Sequence, residues 1–476
     1  MAETHTIAAR APTDPTRASA SELLQLYRTK TASPVEVMQA VLDRAEQVNP
    51  KLNALIIVDA DGALAAAKAS EARWAAGAPR SPLDGAPLTV KELVRVKGWP
   101  ASMGSRLADK TPAQEDAPSV ARLREAGAIV WSQNTSPEYG HKGVTDSPLH
   151  GVTRNPWNLS RTPGGSSGGS GAAVAAGLGP LGIGTDGGGS VRIPAAFCGL
   201  VGLKATYGRV PAWPPSMHGD LANVGPMTRT VADCALMLNE ITKPDARDPF
   251  PAPPDPRDWT ASLGAGVKGL KVGVFSGAGH VYMEPPIEAR VAGAVKMLEA
   301  ADAVAVPIEP PPELYDAGRV WVTHWFSAIQ RLLQLHPAER HGEFDPSLLE
   351  QARAGEKYTV QTLVDAMVER RTISTATNLI FTKVDLVVMP TVNVLPFAAG
   401  QGQPLGPGGK PNLGWANTSL FNLTRHPAIS VPLAPSDDGL PIGLQIAAAH
   451  YRDDLVLAAA AALEAAQGLA FPDLPR

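Results

Sequence analysis

Residues 161–194 read RTPGGSSGGSGAAVAAGLGPLGIGTDGGGSVRIP, and no residue between Arg161 and Asp186 carries a charge. Glycine, serine and small apolar residues make up most of the stretch, so it presents bare backbone and hydroxyl groups. A membrane span is a poor reading, because this many glycines and serines leave peptide groups that lipid cannot satisfy. A phosphate-binding loop needs Lys then Ser or Thr after its last glycine, and no lysine occurs before Lys204. G-x-G-x-x-G is matched at Gly177, Gly179 and Gly182 and again at Gly182, Gly184 and Gly187, but no carboxylate follows Asp186 until Asp220, so the ribose-binding acid of a dinucleotide fold is missing. G-x-S-x-G at Gly164 to Gly168 fits a nucleophile elbow with His426 or His450 as base, yet Ser166 follows the polar, Pro-broken NPWNLSRTP rather than a buried strand. A purely structural role, with glycines permitting close packing and serines capping, stays open on the residues alone.

Working outward, short apolar runs at PLTVKELVRV, GAIVWSQN and GPLGIGTD alternate with helical or Gly/Pro segments, the pattern of strands in an α/β sheet. The first sixty residues read as helices: Ser33 caps one, Pro34 takes its first turn and Glu36 closes a capping box, ahead of Val35, Met38, Val41, Leu42 and Ala45 at helical spacing. The Pro-rich segment Pro249 to Trp259 reads as a surface connection to the strand candidate LKVGVF from Leu270. Helices are expected near 285–300, 312–336, 358–382 and 453–467, with a strand at DLVVMP and a Gly/Pro loop at 401–415.

The chain of 476 residues is 44% hydrophobic and 18% charged, a composition for a folded, core-rich protein. Its net charge of −4 offers no excess positive field for a nucleic acid or an anionic membrane. The longest strictly apolar run, Leu455 to Leu463, covers about half of the ~20 residues that a spanning helix needs. The start, MAETHTIAARAPTDP, lacks a basic opening followed by an apolar stretch, so a cytoplasmic location is the default expectation. Two cysteines, Cys198 and Cys234, exclude a disulfide framework and a multi-thiolate zinc site, and both read as core residues. The ten histidines form no H-E-x-x-H, so neither a metal nor a cofactor is expected.

The central stretch resembles that of the amidase-signature serine hydrolases, in which P-G-G-S-S-G-G-S is followed by G-T-D-x-G-G-S-x-R-x-P. The likeness extends through NPKLNAL, LTVKELVRVKG, AGAIVWSQNTSPE, GVTRNPWN, FCGLVGLKATYGRVP, DLVVMPT, HPAISVPL and GLPIGLQI. It implies one domain over residues 1–476, a central mixed twisted β-sheet with helices on both faces. Within it, 1–65 would be a helical segment, 66–240 the catalytic core, and 241–476 a C-terminal half whose variable helices, about 280–380, line the substrate. The family's triad joins a nucleophilic serine, a second serine in a cis peptide twenty-four positions away, and a lysine. By that likeness Ser190 is the nucleophile, Ser166 the relay and Lys91 the base. The amides of Gly187, Gly188, Gly189 and Ser190 would form the oxyanion hole, and Asp186 and Arg192 would hold the loop.

The chemistry suits those residue types. A serine hydroxyl needs a neighbouring base, and a lysine serves only when neutral. Bringing it from ~10.4 toward ~7.5 takes roughly 4 kcal/mol of destabilisation of the ammonium, which burial beside Leu88, Val90 and Leu93 supplies. Lys204 is a second candidate base, set by the resemblance in a structural segment; Ser167 and Ser170 read as loop hydrogen-bonders. Two departures from the family pattern, Ala205 for a proline and Gly187 for a larger residue, are expected to loosen the wall beside the nucleophile.

The uncharged loop Val210 to Gly219, with Arg209 at its hinge and Trp213, Met217 and His218 within it, reads as a lid over a hydrophobic pocket. Trp321, Trp325 and Phe326 add an aromatic stripe that reads as substrate-lining or as core. The resemblance is to broad-specificity bacterial amidases, including urethanases, and implies cleavage of C–N bonds in amides and carbamates of aryl or alkyl amines. The alternatives are the glutaminase component of a tRNA-dependent amidotransferase and a non-catalytic module on the same fold. The expected partner is a small-molecule amide or carbamate, with neither nucleic acid nor membrane, and a homodimer is allowed.

Overall fold

The computed structural model describes residues 14–275 and 282–468; the Met1–Thr13 stretch read for a leader lies outside them. Most strand runs occur where the sequence is apolar, many of them rich in Val, Ile and Leu. In chain order they are β1 Leu55–Val58, β2 Pro87–Lys91, β3 Ile129–Asn134, β4 Asp146–Ser147, β5 Gly151–Val152, β6 Leu181–Asp186 and β7 Val201–Lys204. There follow β8 Asn223–Thr228, β9 Lys271–Phe275, β10 Val304–Ile308, β11 Leu386–Pro390, β12 Ala428–Leu433 and β13 Ile442–Ala448.

Eleven of these strands make one mixed sheet in the order β1-β3-β2-β6-β8-β7-β12-β13-β11-β9-β10, and β4 pairs with β5 separately. Strands β3, β2 and β6 run parallel, as do β11, β9 and β10, while the strands between them are antiparallel. The expected α/β class with a mixed sheet is what the chain forms. The sheet draws strands from both sides of the Pro-rich stretch at 249–259.

Both faces of the sheet are covered, which is why its strands read as continuous apolar runs. Val130 joins one core cluster with Leu88, Val90, Ile183 and the helices Val231–Ile241 and Asp453–Gln467. Its neighbours Ile129 and Trp131 face the opposite cluster, built on the helices Pro34–Leu52 and Ala60–Ala75. The same alternation recurs in β11, where Leu386 and Val388 join the first cluster and Val387 and Met389 another.

Local signals set the helix ends. Ser33 accepts from the Glu36 N–H while the Glu36 carboxylate accepts from the Ser33 N–H, the reciprocal cap expected from the sequence. The helices Pro285–Ala300, Val360–Ile380 and Asp453–Gln467 fall where their periodicity predicts. Strand β1 lies inside the segment expected to be helical; Leu55, Ile57 and Val58 pair antiparallel with β3, and the register shifts between Leu55 and Ile57.

This topology positions the site. The parallel strands β2, β3 and β6 end together, and a crevice outside the carboxyl ends of parallel strands is where α/β sheets place ligands. Lys91 is the last residue of β2, in register with Asn134 of β3, and Thr185 and Asp186 end β6. Leu88, fully buried three residues before Lys91, anchors β2 in the core. Leu88→Ala is expected to cost about 2–5 kcal/mol through lost burial and the cavity left behind, read as a lower urea midpoint.

Candidate active site

Lys91 is fully buried at the carboxyl end of β2. Its Nζ lies 2.7 Å from Ser166 Oγ, 3.0 Å from Ser167 Oγ and 2.9 Å from Thr185 Oγ1. The Ser167 hydroxyl donates to Thr185 O at 3.1 Å, so its oxygen can only accept from the amine. An uncharged amine has two N–H groups and one lone pair. Ser166 and Thr185 are therefore the hydroxyls able to donate to that lone pair; both line the cavity with Ser190, and Ser166 makes the shorter contact, 2.7 against 2.9 Å.

Burial drives the Lys91 pKa down to about 7, against the opposing pull of Asp186 and Glu92. Neither carboxylate is free to pair with the lysine. Glu92 accepts from the hydroxyls of Ser102 and Ser136 and the N–H groups of Gly104 and Ser136, and it meets His150 Nε2 at 3.1 Å. Asp186 binds Arg192.

Ser166 follows Gly165 across a cis peptide bond, on the loop that leads into the helix Gly168–Ala175. A Cβ at Gly165 would sit 2.4 Å from Val144 O, so the backbones approach too closely for any side chain. Ser190 lies on the turn between β6 and the helix Arg192–Cys198, and its carbonyl accepts from the Ser167 N–H at 3.1 Å.

The turn is held by a buried ion pair. Arg192 Nε and Nη2 donate to the two oxygens of Asp186 at 2.9 and 2.8 Å, a bidentate arrangement with both side chains fully buried. Burial alone would raise the Asp186 pKa, but the Arg192 charge and hydrogen bonds overcome it and hold the carboxyl well below the usual carboxylate range. Arg192 also donates to Thr418 O, Gln445 Oε1 and Asn422 Oδ1, and Asn422 Nδ2 donates to Asp186 O and Oδ1. The sequence reading missed these three C-terminal residues, and also Glu92 and Thr185. Their polarity inside otherwise apolar runs, as in GLQI at Gln445, was the available signal.

A cavity of about 370 Å³ opens against Ser166, Thr185, Gly187 and Ser190. Leu93, Val94, Met103, Trp213, Met217 and Trp325 form much of its wall, with the prolines of the 210–219 loop. Asp248, Pro249 and Phe250 line it too, so the Pro-rich stretch expected to be a surface connection starts as cavity wall. Two guanidinium groups lie over the Trp213 ring, with the Arg95 and Arg247 carbons 5.4 and 4.9 Å from its centroid. His218 stacks flat on Trp325 at 3.5 Å, and burial, with nearby His141, lowers its pKa to about 3, so its ring is neutral.

Several expectations need correction. Arg209 is absent from the cavity lining: it donates to Pro253 O at 2.8 Å, approaches Asp255 and Asp453, and lies over Trp259 and Tyr451. Those partners, distant in sequence, turn it away from the site and make it an anchor for the Pro-rich stretch. Trp321 is likewise outside the lining; its Nε1 donates to Gly187 O at 2.9 Å. The Gly189 N–H donates to Asp186 Oδ1 at 2.7 Å, which removes it from the expected oxyanion donors.

Gly187 does not loosen the wall, because the Trp325 ring takes the space: a Cβ there would lie 2.8 Å from it. Ala205 is buried in the core, away from the cavity lining. Lys204 is also buried with its pKa lowered to about 7, chiefly by burial, but its Nζ donates to Ala205 O and has no serine in reach, so geometry separates the two lysines. Ser170, expected on a loop, lies in the helix Gly168–Ala175 and donates to Ile183 O of β6. His426 and His450 stack on each other and bond to Thr424, outside the cavity, which removes the elbow reading. Both cysteines are buried, and burial pushes their thiols up, so neither is a ready nucleophile. Among the described residues no cluster of His, Cys, Asp and Glu has the makings of a metal site, and no helix is long and apolar enough to cross a membrane.

The sheet sets a buried low-pKa lysine behind Ser166, on a cavity that Ser190 and the glycine-rich turn also line, and these are residue types that a serine hydrolase uses. The chain belongs to the amidase family, whose model matches residues 36–457. It is 36% identical over 458 residues to an acylamidase of Rhodococcus erythropolis, covering 94% of this chain and 95% of that one. It is 35% identical to the A component of a glutamyl-tRNA(Gln) amidotransferase of Acidothermus cellulolyticus, with 94% of each covered. Among solved structures it is similar to a bacterial aryl acylamidase of the amidase-signature enzymes, with a TM-score of 0.86, 32% identity, and 94% and 96% of the two chains covered.

Asp186→Asn leaves Arg192 buried without its counter-charge and is expected to cost about 3–5 kcal/mol, measured by urea denaturation at neutral pH. Because the folded Asp186 pKa is depressed, its contribution is present above the unfolded carboxyl value of ~3.9 and is lost as pH falls below it. The variant's deficit relative to wild type should shrink in acid.

Proposed function

We propose that this amidase-family hydrolase cleaves the C–N bond of aryl amides and of carbamates of aryl or alkyl amines through a covalent intermediate on Ser190. The observation that carries the reading is the Lys91 amine, fully buried, inclined to be neutral near pH 7 and 2.7 Å from the Ser166 hydroxyl, on a cavity that also exposes Ser190.

Ser190 Oγ attacks the carbonyl carbon as its proton passes to Ser166, whose own proton moves to Lys91 Nζ. The carbonyl oxygen becomes an oxyanion facing the amides of Gly187, Gly188 and Ser190, each such donor being worth roughly 2.7–4 kcal/mol. Collapse breaks the C–N bond, and the proton held by Lys91 returns through Ser166 to the leaving amine. Water then repeats the relay on the ester. An amide yields acid and amine; a carbamate leaves an alkoxycarbonyl enzyme whose hydrolysis gives alcohol and carbon dioxide beside the amine already released.

The apolar, proline-rich and aromatic wall supports an aryl or alkyl group over a charged one. The similarity to an acylamidase and to an aryl acylamidase points the same way. The similarity to an amidotransferase component favours a second reading, a glutaminase. Glutamine brings two charges, and of the lining carboxylates Asp220 is paired with Arg370 and Arg425 while Asp248 accepts from the Ala212 and Phe250 N–H groups, which leaves little to receive an ammonium.

Two measurements test the assignment. The purified chain, offered glutamine, an aryl amide and an aryl carbamate in parallel, is expected to release amine from the latter two; turnover of glutamine alone would overturn the reading. With wild type, kcat/KM is expected to rise with pH through an apparent pKa of about 7 and level off above it, because only the neutral amine accepts the proton. Lys91→Met should cost at least ~10³-fold in kcat/KM by removing the base and abolish that limb.

A further inference from the structure

The loop expected to carry the oxyanion hole is fixed from outside by a residue that the cavity does not contain. In the peptide unit between Gly187 and Gly188, the carbonyl accepts from Trp321 Nε1 at 2.9 Å. The bond is trans, since the cis bonds among the described residues are Gly165–Ser166 and Trp213–Pro214. A trans peptide holds its C=O and N–H antiparallel in one plane. Pulling the Gly187 carbonyl toward Trp321 therefore aims the Gly188 N–H the opposite way.

The next peptide unit is locked at both ends. The Gly188 carbonyl accepts from Thr418 Oγ1 at 2.5 Å, and the Gly189 N–H donates to Asp186 Oδ1 at 2.7 Å. The Trp321 indole also packs close against the loop, where a Cβ at Gly188 would meet its Cζ2 at 2.5 Å, so no other residue type leaves room for it. Trp321 is half-buried on the helix Ala317–Leu335 and stacks at 4.7 Å on Trp325, the ring that walls the cavity. One turn of helix thus contributes a wall residue and, behind it, a hydrogen-bond donor to the backbone of the nucleophile loop.

We propose that Trp321 is a positioning residue for the reaction, setting the direction of the Gly188 N–H toward the developing oxyanion through its hydrogen bond to the Gly187 carbonyl. The inference rests on the reading of Ser190 as nucleophile and of the adjoining amides as oxyanion donors. It differs from substrate binding in what it alters. A substrate-lining tryptophan contributes to the bound ground state, whereas one that aligns an oxyanion donor contributes only as the carbonyl becomes tetrahedral.

Trp321→Phe keeps a ring on the loop and deletes the N–H; exchange of Trp321 for β-(3-benzothienyl)alanine deletes the N–H with the indole shape intact and covers the case in which Phe fails to fold. Each protein is first tested for labelling of Ser190 by a fluorophosphonate, then assayed for the acylation rate on an aryl amide, for KM, and for affinity toward a trifluoromethyl ketone of the same substrate. Addition of Ser190 Oγ to that ketone forms a C–O bond and turns the carbonyl into the oxyanion being probed. We expect acylation to slow ~10–100-fold, KM to stay within about two-fold, and ketone affinity to fall by the same factor as acylation. Unchanged acylation and ketone affinity, or a loss confined to KM, overturns the inference. Wild type that no fluorophosphonate labels at Ser190 overturns the underlying reading instead, so the two failures are told apart.

Discussion

Everything at this site depends on taking one ammonium group out of water. Burying a charge without a partner is expensive, and a lysine responds by releasing its proton. The chain could have stabilised the charged form, since two carboxylates, Glu92 and Asp186, lie near enough to pull on Lys91. Each is instead saturated elsewhere, Glu92 by two hydroxyls, two backbone amides and His150, Asp186 by a bidentate guanidinium and Asn422. What remains around Nζ is three neutral oxygens. Burial then outweighs the residual attraction, and the amine titrates near neutrality rather than far above it.

The loop opposite Lys91 is held mainly by residues far away in sequence. Thr418, Asn422 and Gln445 reach the Asp186–Arg192 pair from the C-terminal half, and Trp321 reaches Gly187 from a helix between them. The N-terminal half supplies the groups proposed to react, Lys91, Ser166 and Ser190, and the C-terminal half fixes the backbone on which Ser190 sits.

Much of this was legible from the residues, and what was not has a consistent cause. The helix at Pro34–Leu52 was readable because its capping box is local, and the strands ending in Lys91 and Asp186 because full burial makes them continuous apolar runs. Strand β1 escaped notice because four residues following a long helix carry little periodicity of their own, and its pairing with β3 comes from tertiary contact. Long-range geometry caused the other errors. Arg209 looks like a hinge residue until Pro253, Asp255 and Asp453 fold beside it, and Trp321 looks like a pocket residue until Gly187 comes under its indole nitrogen. No spacing rule forecasts which glycine amide a carboxylate claims, and Gly189 lost its expected part for that reason.

The indole of Trp325 occupies the volume that a side chain at position 187 would fill. A methyl group at 187 and the ring as it stands at 325 compete for the same few cubic ångströms, so a side chain at 187 requires the ring to shift or shrink. Enlarging position 187 alone runs into the tryptophan ring, whereas a small residue in place of the tryptophan together with a larger one in place of the glycine would reshape that wall of the cavity without emptying it.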